Sequence, residues 1–175
     1  VSSPLGNGFR MPAARSRVVL VGGGVGLAPL YFAAKELAEG CDVTAVLGFR
    51  SSQWLTEDFA ELGIRLLVTT ETPSENAFLG NVVDCMSINS VKGDEYLACG
   101  PRAMLAAVSK YIVATDDRAL IQVSMEERMG CGYGACVCCV TDVRREGASE
   151  GEDGAFDRLK VCCDGPVFDG RRVIW

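Results

Sequence analysis

One stretch of the sequence decides the fold: residues 18–29 read VVLVGGGVGLAP. The apolar, mostly β-branched residues 18–21 predict a buried strand, and the glycines after them predict a tight loop. Residues 30–37 then carry apolar side chains at helical spacing, which predicts a helix. A strand, a glycine loop and a helix in this order provide what a pyrophosphate site needs, because backbone N–H groups at the start of the helix face the phosphates.

The alternation of strand and helix continues to residue 123. Further strands are expected at residues 43–49, 65–70, 95–99 and 120–123, with helices at residues 56–62, 76–88 and 103–113. This order predicts an α/β fold with a doubly wound parallel sheet. The carboxyl ends of the strands meet along one rim of such a sheet, so the glycine loop and Cys99-Gly100-Pro101 are expected to lie together there.

The glycine loop is the predicted nucleotide site. The residues expected to hold the dinucleotide are Gly22, Gly23, Gly24, Gly26 and Pro29. Proline replaces the third glycine of the usual dinucleotide fingerprint, so a tight turn that only packs strand against helix is the alternative.

The choice between NAD and NADP depends on charge near the ribose. A carboxylate suits a free ribose hydroxyl, whereas a basic residue suits a 2′-phosphate. Glu71 follows the third strand and favours NAD, while Arg50 after the second strand favours NADP. We expect NAD.

The C-terminal part of the chain holds most of the cysteines. Six of the nine lie between residues 131 and 163. The N-terminal residues lack the features of a secretion signal, so a cytoplasmic protein is expected and its clustered cysteines indicate metal ligands rather than disulfides. Cys131, Cys136 and Cys139 have the C-x4-C-x2-C spacing of plant-type 2Fe–2S sites. A fourth thiolate is expected from Cys162 or Cys163.

Structural zinc is the competing interpretation of these cysteines. All-cysteine zinc sites normally use two C-x2–4-C pairs, one from each side. Here the second pair is adjacent, at Cys162 and Cys163, and neighbouring residues rarely bind one tetrahedral ion together. Ligand spacing therefore favours the cluster. A zinc site would make the chain a structural binding module.

Three elements are expected after residue 123. Residues 124–127 read SMEE, a capping-box sequence that predicts a short helical turn. Residues 137–145 and 159–161 predict strands, joined through an acidic, glycine-rich loop at residues 146–157 that is expected to be exposed or disordered.

Composition excludes several classes of function. A formal net charge of −6 argues against nucleic-acid binding, which needs a basic surface. The absence of histidine excludes histidine-based zinc sites and acid–base catalysis in this chain. The sequence has no long uncharged apolar run, so no membrane span is predicted. With 175 residues, the chain is long enough for one domain and a small appendage.

Two motifs together resemble the NAD(P)-binding domain of the ferredoxin reductase family. They are the GGGVGLAP loop at residues 22–29 and the segment ACGP at residues 98–101. In that family the Cys-Gly-Pro segment lies beside the nicotinamide as it stacks on a flavin. The resemblance implies that Cys99, with Gly100 and Pro101, lines the hydride-transfer site. The alternative for Cys99 is a small buried side chain that ends a strand.

A longer pattern resembles a narrower family. Residues 124–139, SMEERMGCGYGACVCC, and residues 161–168, VCCDGPVF, are similar to the electron-transfer subunit of B-type, NAD-dependent dihydroorotate dehydrogenase. The resemblance implies an oxidoreductase subunit whose cluster ligands are Cys131, Cys136, Cys139 and Cys162, with Cys138 and Cys163 as bystanders. It also implies a partner, an FMN-containing catalytic subunit that oxidises dihydroorotate in pyrimidine biosynthesis. Electrons then pass singly through the 2Fe–2S cluster to FAD, which delivers hydride to NAD.

A related flavin reductase that serves ferredoxin or a sulfur acceptor is the alternative function. The predicted organisation has three parts: residues 1–14 as a remnant of a flavin-binding barrel or a linker, residues 15–123 as the NAD-binding domain, and residues 124–175 as the cluster subdomain. Members of the family that this sequence resembles begin with an FAD-binding barrel. FAD is therefore expected in the parent protein rather than in this chain.

Overall fold

A computed structural model describes residues 5–147 and 154–175. The strands are β1 (Arg17–Gly23), β2 (Asp42–Phe49), β3 (Arg65–Thr70), β4 (Phe78–Leu79), β5 (Glu95–Cys99), β6 (Leu120–Ser124), β7 (Val140–Arg144), β8 (Phe156–Lys160) and β9 (Val167–Asp169). The α-helices are α1 (Leu27–Leu37), α2 (Thr56–Glu61), α3 (Val82–Ile88) and α4 (Arg102–Thr115), and a 3-10 turn at Gly24–Gly26 precedes α1.

Seven strands form one sheet in the order β4-β3-β2-β1-β5-β6-β9. All neighbours are parallel except β6 and β9, which pair antiparallel. The chain leaves β1 first towards β2 and later returns to β5 on its other side. The carboxyl end of β1 is therefore the point where the strand order reverses, and ligands bind at such points in open α/β sheets.

Helices cover both faces of the sheet, which confirms the predicted doubly wound fold. On one face Leu20 of β1 packs in a core cluster with Leu30 of α1 and Phe59 of α2. On the other face Val21 packs in a second cluster with Leu105 of α4. Because β1 is buried on both sides after the exposed Arg17, the rest of the strand is apolar rather than alternating.

The helix expected at residues 76–88 is shorter than predicted. Residues 78–79 instead form the edge strand β4, paired with the end of β3. Gly80 follows with a positive φ of 149°, which interrupts regular structure. The helix begins after Asn81, whose side-chain oxygen accepts the backbone N–H groups of Val83 and Asp84 at 2.9 and 3.0 Å.

The helical turn expected at residues 124–127 is not formed. Ser124 is the last residue of β6, and residues 125–129 run on without helix or strand. The N–H of Met125 donates to the carbonyl of Pro166 at 2.9 Å, and Glu127 pairs with Arg102 at 3.3 Å. These tertiary contacts use groups that a capping box would need, so the local sequence preference is overridden.

The C-terminal segment forms a hairpin and then returns to the main sheet. β7 and β8 pair antiparallel, as the two predicted strands suggested. Part of the loop expected between them, residues 148–153, lies outside the described residues. The sequence did not predict β9, which pairs Phe168 with Val123 of β6. In the described part of the chain, no helix is both long and apolar enough to cross a membrane.

Candidate functional site

The glycine loop and the Cys-Gly-Pro segment lie together at the rim of the sheet. Gly22 of β1 pairs with Cys99 of β5. A Cβ added at Gly26 would overlap the backbone carbonyl group of Cys99, so only glycine permits this approach. Gly24 has open space around it, so a side chain would meet no neighbouring atom. Glycine is favoured at this position because its φ is positive, at 57°.

The first turn of α1 opens directly from this loop. Leu27 begins the helix and Pro29 is its third residue, where a missing N–H breaks no helical hydrogen bond. The first N–H groups of a helix have no partner within it and carry partial positive charge. The loop and helix therefore have the chemistry to hold a phosphate group.

A cavity of about 780 Å³ lies at the same rim. Pro29 of α1 and Cys99 of β5 line it. It is also lined by Met125 and Met129, from the segment that leads into the cysteine loop, and by Pro166. The predicted nucleotide site and the approach to the cysteine loop thus share one space.

Cys99 lines this cavity but is almost completely buried, with 2% of its surface exposed. Burial raises the pKa of its thiol to about 11, although a hydrogen bond with the Ser124 side chain acts in the opposite direction. The thiol is therefore neutral near pH 7. It can offer a small polarisable contact surface to a ring in the cavity, but it is not a ready nucleophile or base.

Glu71 and Arg50 both lie at the carboxyl rim. Arg50 follows β2, the strand beside β1, whereas Glu71 follows β3, one strand further out. The N–H of Glu71 donates to the carbonyl of Phe49 at 3.1 Å, which joins the two strand ends. Both side chains are exposed. The acidic and the basic candidate for contact with a ribose are thus brought to the same edge.

The loop that carries Cys131 and Cys136 wraps around the Cys131 sulfur. The N–H of Cys136 donates to that sulfur at 3.4 Å. This N–H has the largest effect on the Cys131 thiol, and the N–H of Tyr133 has the second largest. Together they lower the pKa of Cys131 to about 6. Gly132 and Gly134 take positive φ values of 76° and 85°, so glycine at these positions permits the curvature of the loop. The pKa of Cys136 is also lowered, first by the N–H of Cys138.

Cys139 and Cys162 form a second pair of neighbouring thiols. Both are buried, at 1% and 2% exposure. The Cys162 backbone hydrogen bond lowers the pKa of Cys139, but burial and the adjacent Cys162 thiol outweigh it and the pKa is raised. The N–H of Val161 donates to the Cys139 carbonyl at 2.7 Å and holds the two segments together. A thiolate at this site therefore needs a compensating positive ion.

The two remaining cysteines of this region are exposed. Cys138 lies beside Cys136. Cys163 has its sulfur 3.6 Å from that of Cys162 and faces Gly134. Within residues 5–147 and 154–175, no three cysteine or acidic side chains gather around a single point as ligands of one ion. The predicted ligands lie instead as two separate pairs.

Three residues that hold this region together were not predicted from the sequence. Lys160 donates from its ammonium group to the Gly134 carbonyl at 2.5 Å. Asn7 hydrogen-bonds the turn that follows Cys163. Arg102 joins the start of α4 to the C-terminal segment through the Ile174 carbonyl, at 2.9 Å. These contacts link distant parts of the chain, and no local pattern marks them.

Comparison with known proteins points to one family. A model of the iron–sulfur cluster binding domain of dihydroorotate dehydrogenase B matches residues 126–174. The electron transfer subunit of dihydroorotate dehydrogenase B (NAD(+)) from Geobacillus sp. is 39% identical over 179 residues, which cover 99% of this chain and 64% of the relative. Those from Bacillus caldolyticus and Shouchella clausii are 40% and 41% identical with the same coverage. Over 99% of its length the chain is similar to this family of electron transfer subunits.

This similarity to dihydroorotate dehydrogenase B electron transfer subunits confirms the resemblance noted from the sequence. It also establishes the segment that contains the cysteine loop as an iron–sulfur cluster binding domain. The chain spans 64% of the length of these curated relatives.

Solved structures agree with this assignment. An NADH-dependent reduced ferredoxin-NADP oxidoreductase, described in connection with flavin-based electron bifurcation, matches with a TM-score of 0.74 and 33% identity. The match covers 99% of this chain and 59% of that one. A flavohemoglobin from Malassezia yamatoensis shares the fold alone, at 18% identity and a TM-score of 0.53 over 62% of this chain and 32% of that one.

Proposed function

We propose that this chain passes electrons between a 2Fe–2S cluster and NAD, as part of the electron transfer subunit of a dihydroorotate dehydrogenase B. The observation that carries the proposal is the arrangement of the four predicted thiol ligands as two neighbouring pairs, Cys131 with Cys136 and Cys139 with Cys162. The segment leading into their loop shares a cavity with Cys99 and Pro29. A cluster site and a nucleotide site beside one cavity are what an electron-transfer protein requires.

The donor set fits a two-iron cluster. A 2Fe–2S cluster takes two thiolates on each iron, and the two pairs supply them. N–H groups from the Cys131–Cys136 loop point at sulfur and stabilise negative charge there. The buried Cys139–Cys162 pair, whose charge is not stabilised by the protein alone, would be held as thiolates by the iron. A single zinc ion would need all four sulfurs around one point.

The nucleotide is proposed to bind with its pyrophosphate at Gly24, Gly26 and the start of α1. NAD is preferred to NADP in this proposal because Glu71 stands at the rim and suits a free ribose hydroxyl. The nicotinamide would then reach the cavity that Cys99 lines, with Gly100 and Pro101 following it in the chain. Cys99 would act as a contact surface for the ring, since its thiol is neutral.

The two carriers differ in the number of electrons they exchange. A nicotinamide exchanges two electrons as a hydride, whereas a 2Fe–2S cluster takes one at a time. A flavin that can do both is needed between them, and we propose FAD for this role, at the cavity between Cys99 and the cluster loop.

The partner is proposed to be an FMN-containing catalytic subunit that oxidises dihydroorotate. Two apolar side chains of the cluster loop, Tyr133 and Val137, are each 74% exposed. Exposed apolar groups beside a redox centre suit a docking surface, because they bring the partner close to the cluster and exclude water. We place the protein in the cytoplasm, where thiols such as the nine free cysteines remain reduced.

A related reductase that serves ferredoxin is the second candidate function. It is favoured by the 33% identity, across 99% of this chain, to the NADH-dependent reduced ferredoxin-NADP oxidoreductase. The partner separates the two functions. Co-purification of an FMN-containing subunit with dihydroorotate-dependent reduction of the cluster supports the first, and rapid cluster oxidation by ferredoxin without such a subunit supports the second.

The proposed ligands are tested by serine variants of the two adjacent cysteines. Cys162→Ser is expected to lose the visible absorption of the cluster and about two irons per chain. Cys163→Ser is the matched control and is expected to keep both. Loss of the cluster in Cys163→Ser with retention in Cys162→Ser would show that the fourth ligand is Cys163.

A further inference from the structure

Lys160 is the centre of the turn that carries Cys162. Its carbonyl accepts the N–H groups of Cys163 at 3.1 Å, Asp164 at 2.8 Å and Gly165 at 3.3 Å. Its own N–H donates to the carboxylate of Asp164 at 2.7 Å. The backbone of Lys160 therefore fixes the shape of the turn on which the proposed fourth ligand lies.

The side chain of Lys160 reaches the other ligand-bearing segment. Its ammonium group donates to the carbonyl of Gly134 at 2.5 Å, in the middle of the loop between Cys131 and Cys136. A Cβ on Gly134 would lie 3.8 Å from Cδ of Lys160 and 2.8 Å from the sulfur of Cys163. The aliphatic stem of the lysine thus packs against the loop that its head group holds.

The charge of Lys160 is placed beside the cluster loop. In the part of the chain that the structure describes, its ammonium pairs with a carbonyl and forms no ion pair with a carboxylate. The side chain is half-buried, so solvent screens its field less than at an open surface. A cluster bound by four thiolates becomes more negative by one unit on reduction, and a nearby cation stabilises that reduced form more than the oxidised one.

We propose that Lys160 is a positioning residue that joins the two ligand-bearing segments of the cluster site and raises the reduction potential of the cluster. The inference rests on the proposed function, since it requires that the cluster is bound. The Lys160 side chain then has two roles. It sets the placement of Cys162 relative to the Cys131–Cys136 loop, and it contributes to the electrostatic environment of the iron.

The test compares Lys160→Met, which removes the charge and the hydrogen bond, with Lys160→Arg, which keeps the charge and a donor. Lys110→Met is the matched control, because it removes one positive charge from the exposed side of α4. The reduction potential is measured in the 175-residue holoprotein by a redox titration followed by electron paramagnetic resonance. Loss of iron to a chelator is measured in parallel.

We expect Lys160→Met to lower the equilibrium constant for cluster reduction by roughly tenfold, from one partly screened charge. Chelator-driven iron loss should become several times faster, since removing a hydrogen bond that holds a ligand-bearing segment weakens metal sites by a factor of about ten or more. Lys160→Arg and Lys110→Met should behave like the wild type in the titration. Wild-type potential and wild-type iron loss in Lys160→Met would overturn the proposal.

A further variant separates the possible failures. If Lys160→Met holds no cluster, Lys160→Gln is titrated instead, because it retains a donor for the Gly134 carbonyl without the charge. A lowered potential in Lys160→Gln supports the role of the charge, and an unchanged potential overturns it. A wild-type chain that takes up no iron and sulfide contradicts the proposed function itself. This result differs from both a lowered and an unchanged potential in Lys160→Gln, which test only the role of the lysine.

Discussion

Asn7 and Val167, which are 160 residues apart, exchange two hydrogen bonds. The N–H of Val167 donates to Oδ1 of Asn7 at 2.9 Å, and Nδ2 of Asn7 donates to the Val167 carbonyl at 3.1 Å. Nδ2 also reaches the carbonyl of Asp164 at 3.2 Å, and the N–H of Asn7 donates to Gly165 at 2.6 Å. The N-terminal segment, expected to be a barrel remnant or linker, thus holds the turn that follows the proposed ligand Cys162.

Asn7→Ala should therefore weaken the attachment of this segment. The change removes the three hydrogen bonds of the side chain and leaves the N–H of Val167 without its partner. Because the site is exposed, we expect a loss of about 1–2 kcal/mol in the free energy of unfolding. Urea denaturation measures it. Gln53→Ala, which removes a surface amide bonded to Ser74, is the control and should change stability by less than about 0.5 kcal/mol. Equal effects of the two changes would show that Asn7 has no special role.

Gly26→Ala should disrupt the contact between the glycine loop and β5. The added Cβ would overlap the carbonyl group of Cys99, which is backbone and cannot turn away. We expect a loss of about 1–3 kcal/mol in stability and weaker nucleotide binding. Gly40→Ala is the matched control, since no atom lies within 4 Å of its added Cβ. Thermal unfolding and nucleotide titration check both variants, and wild-type behaviour of Gly26→Ala would contradict the described packing.

The thiol of Cys99 should resist alkylation at moderate pH. Burial raises its pKa to about 11, so the reactive thiolate is scarce until the pH approaches that value. Its rate of reaction with iodoacetamide should therefore rise with pH up to about 11, and at about pH 8 it should be much slower than that of the more accessible Cys41. Mass spectrometry of the labelled protein measures both sites. Rapid modification of Cys99 at about pH 8 would show that the site is open and its thiolate stabilised.

The chain should bind NADH more tightly than NADPH. One unfavourable contact between the 2′-phosphate and Glu71 should cost about 1–3 kcal/mol, which corresponds to roughly tenfold to hundredfold in affinity. Glu71→Gln should reduce this difference in a calorimetric titration. Equal or tighter binding of NADPH would contradict the prediction, and Arg50→Gln would then test whether the arginine that follows β2 recognises the phosphate.

Local patterns in the sequence predicted the main sheet well, and the structure brings the glycine loop to the rim where it was expected; nucleotide binding there stays a prediction. Strands β1, β2 and β3 are apolar runs bounded by glycine or polar residues, and their propensity agrees with their burial. The glycine loop is informative because glycine is required at Gly26 by close contact with the Cys99 backbone and at Gly24 by a positive φ. The spacing of Cys131, Cys136 and Cys139 is also a local property of one loop.

Features that depend on distant partners could not be predicted in the same way. The three residues of β9 form a strand because β6 offers its edge, not because of their own preference. The capping box at residues 124–127 fails because Glu127 pairs with Arg102 and Ser124 contacts Cys99. The bridge from Lys160 to Gly134 joins parts of the chain 26 residues apart. In each case tertiary contacts decide between local alternatives of similar free energy.

Electron paramagnetic resonance of the dithionite-reduced chain shows whether the chain holds a 2Fe–2S cluster. After anaerobic reconstitution with iron and sulfide, we expect about one unpaired electron per chain from a reduced 2Fe–2S cluster, together with about two irons and two sulfides. NADH alone should reduce this cluster slowly, and added FAD-containing reductase should make the reduction fast. A chain that remains colourless and silent in resonance while binding one zinc ion would rule out the proposed cluster site.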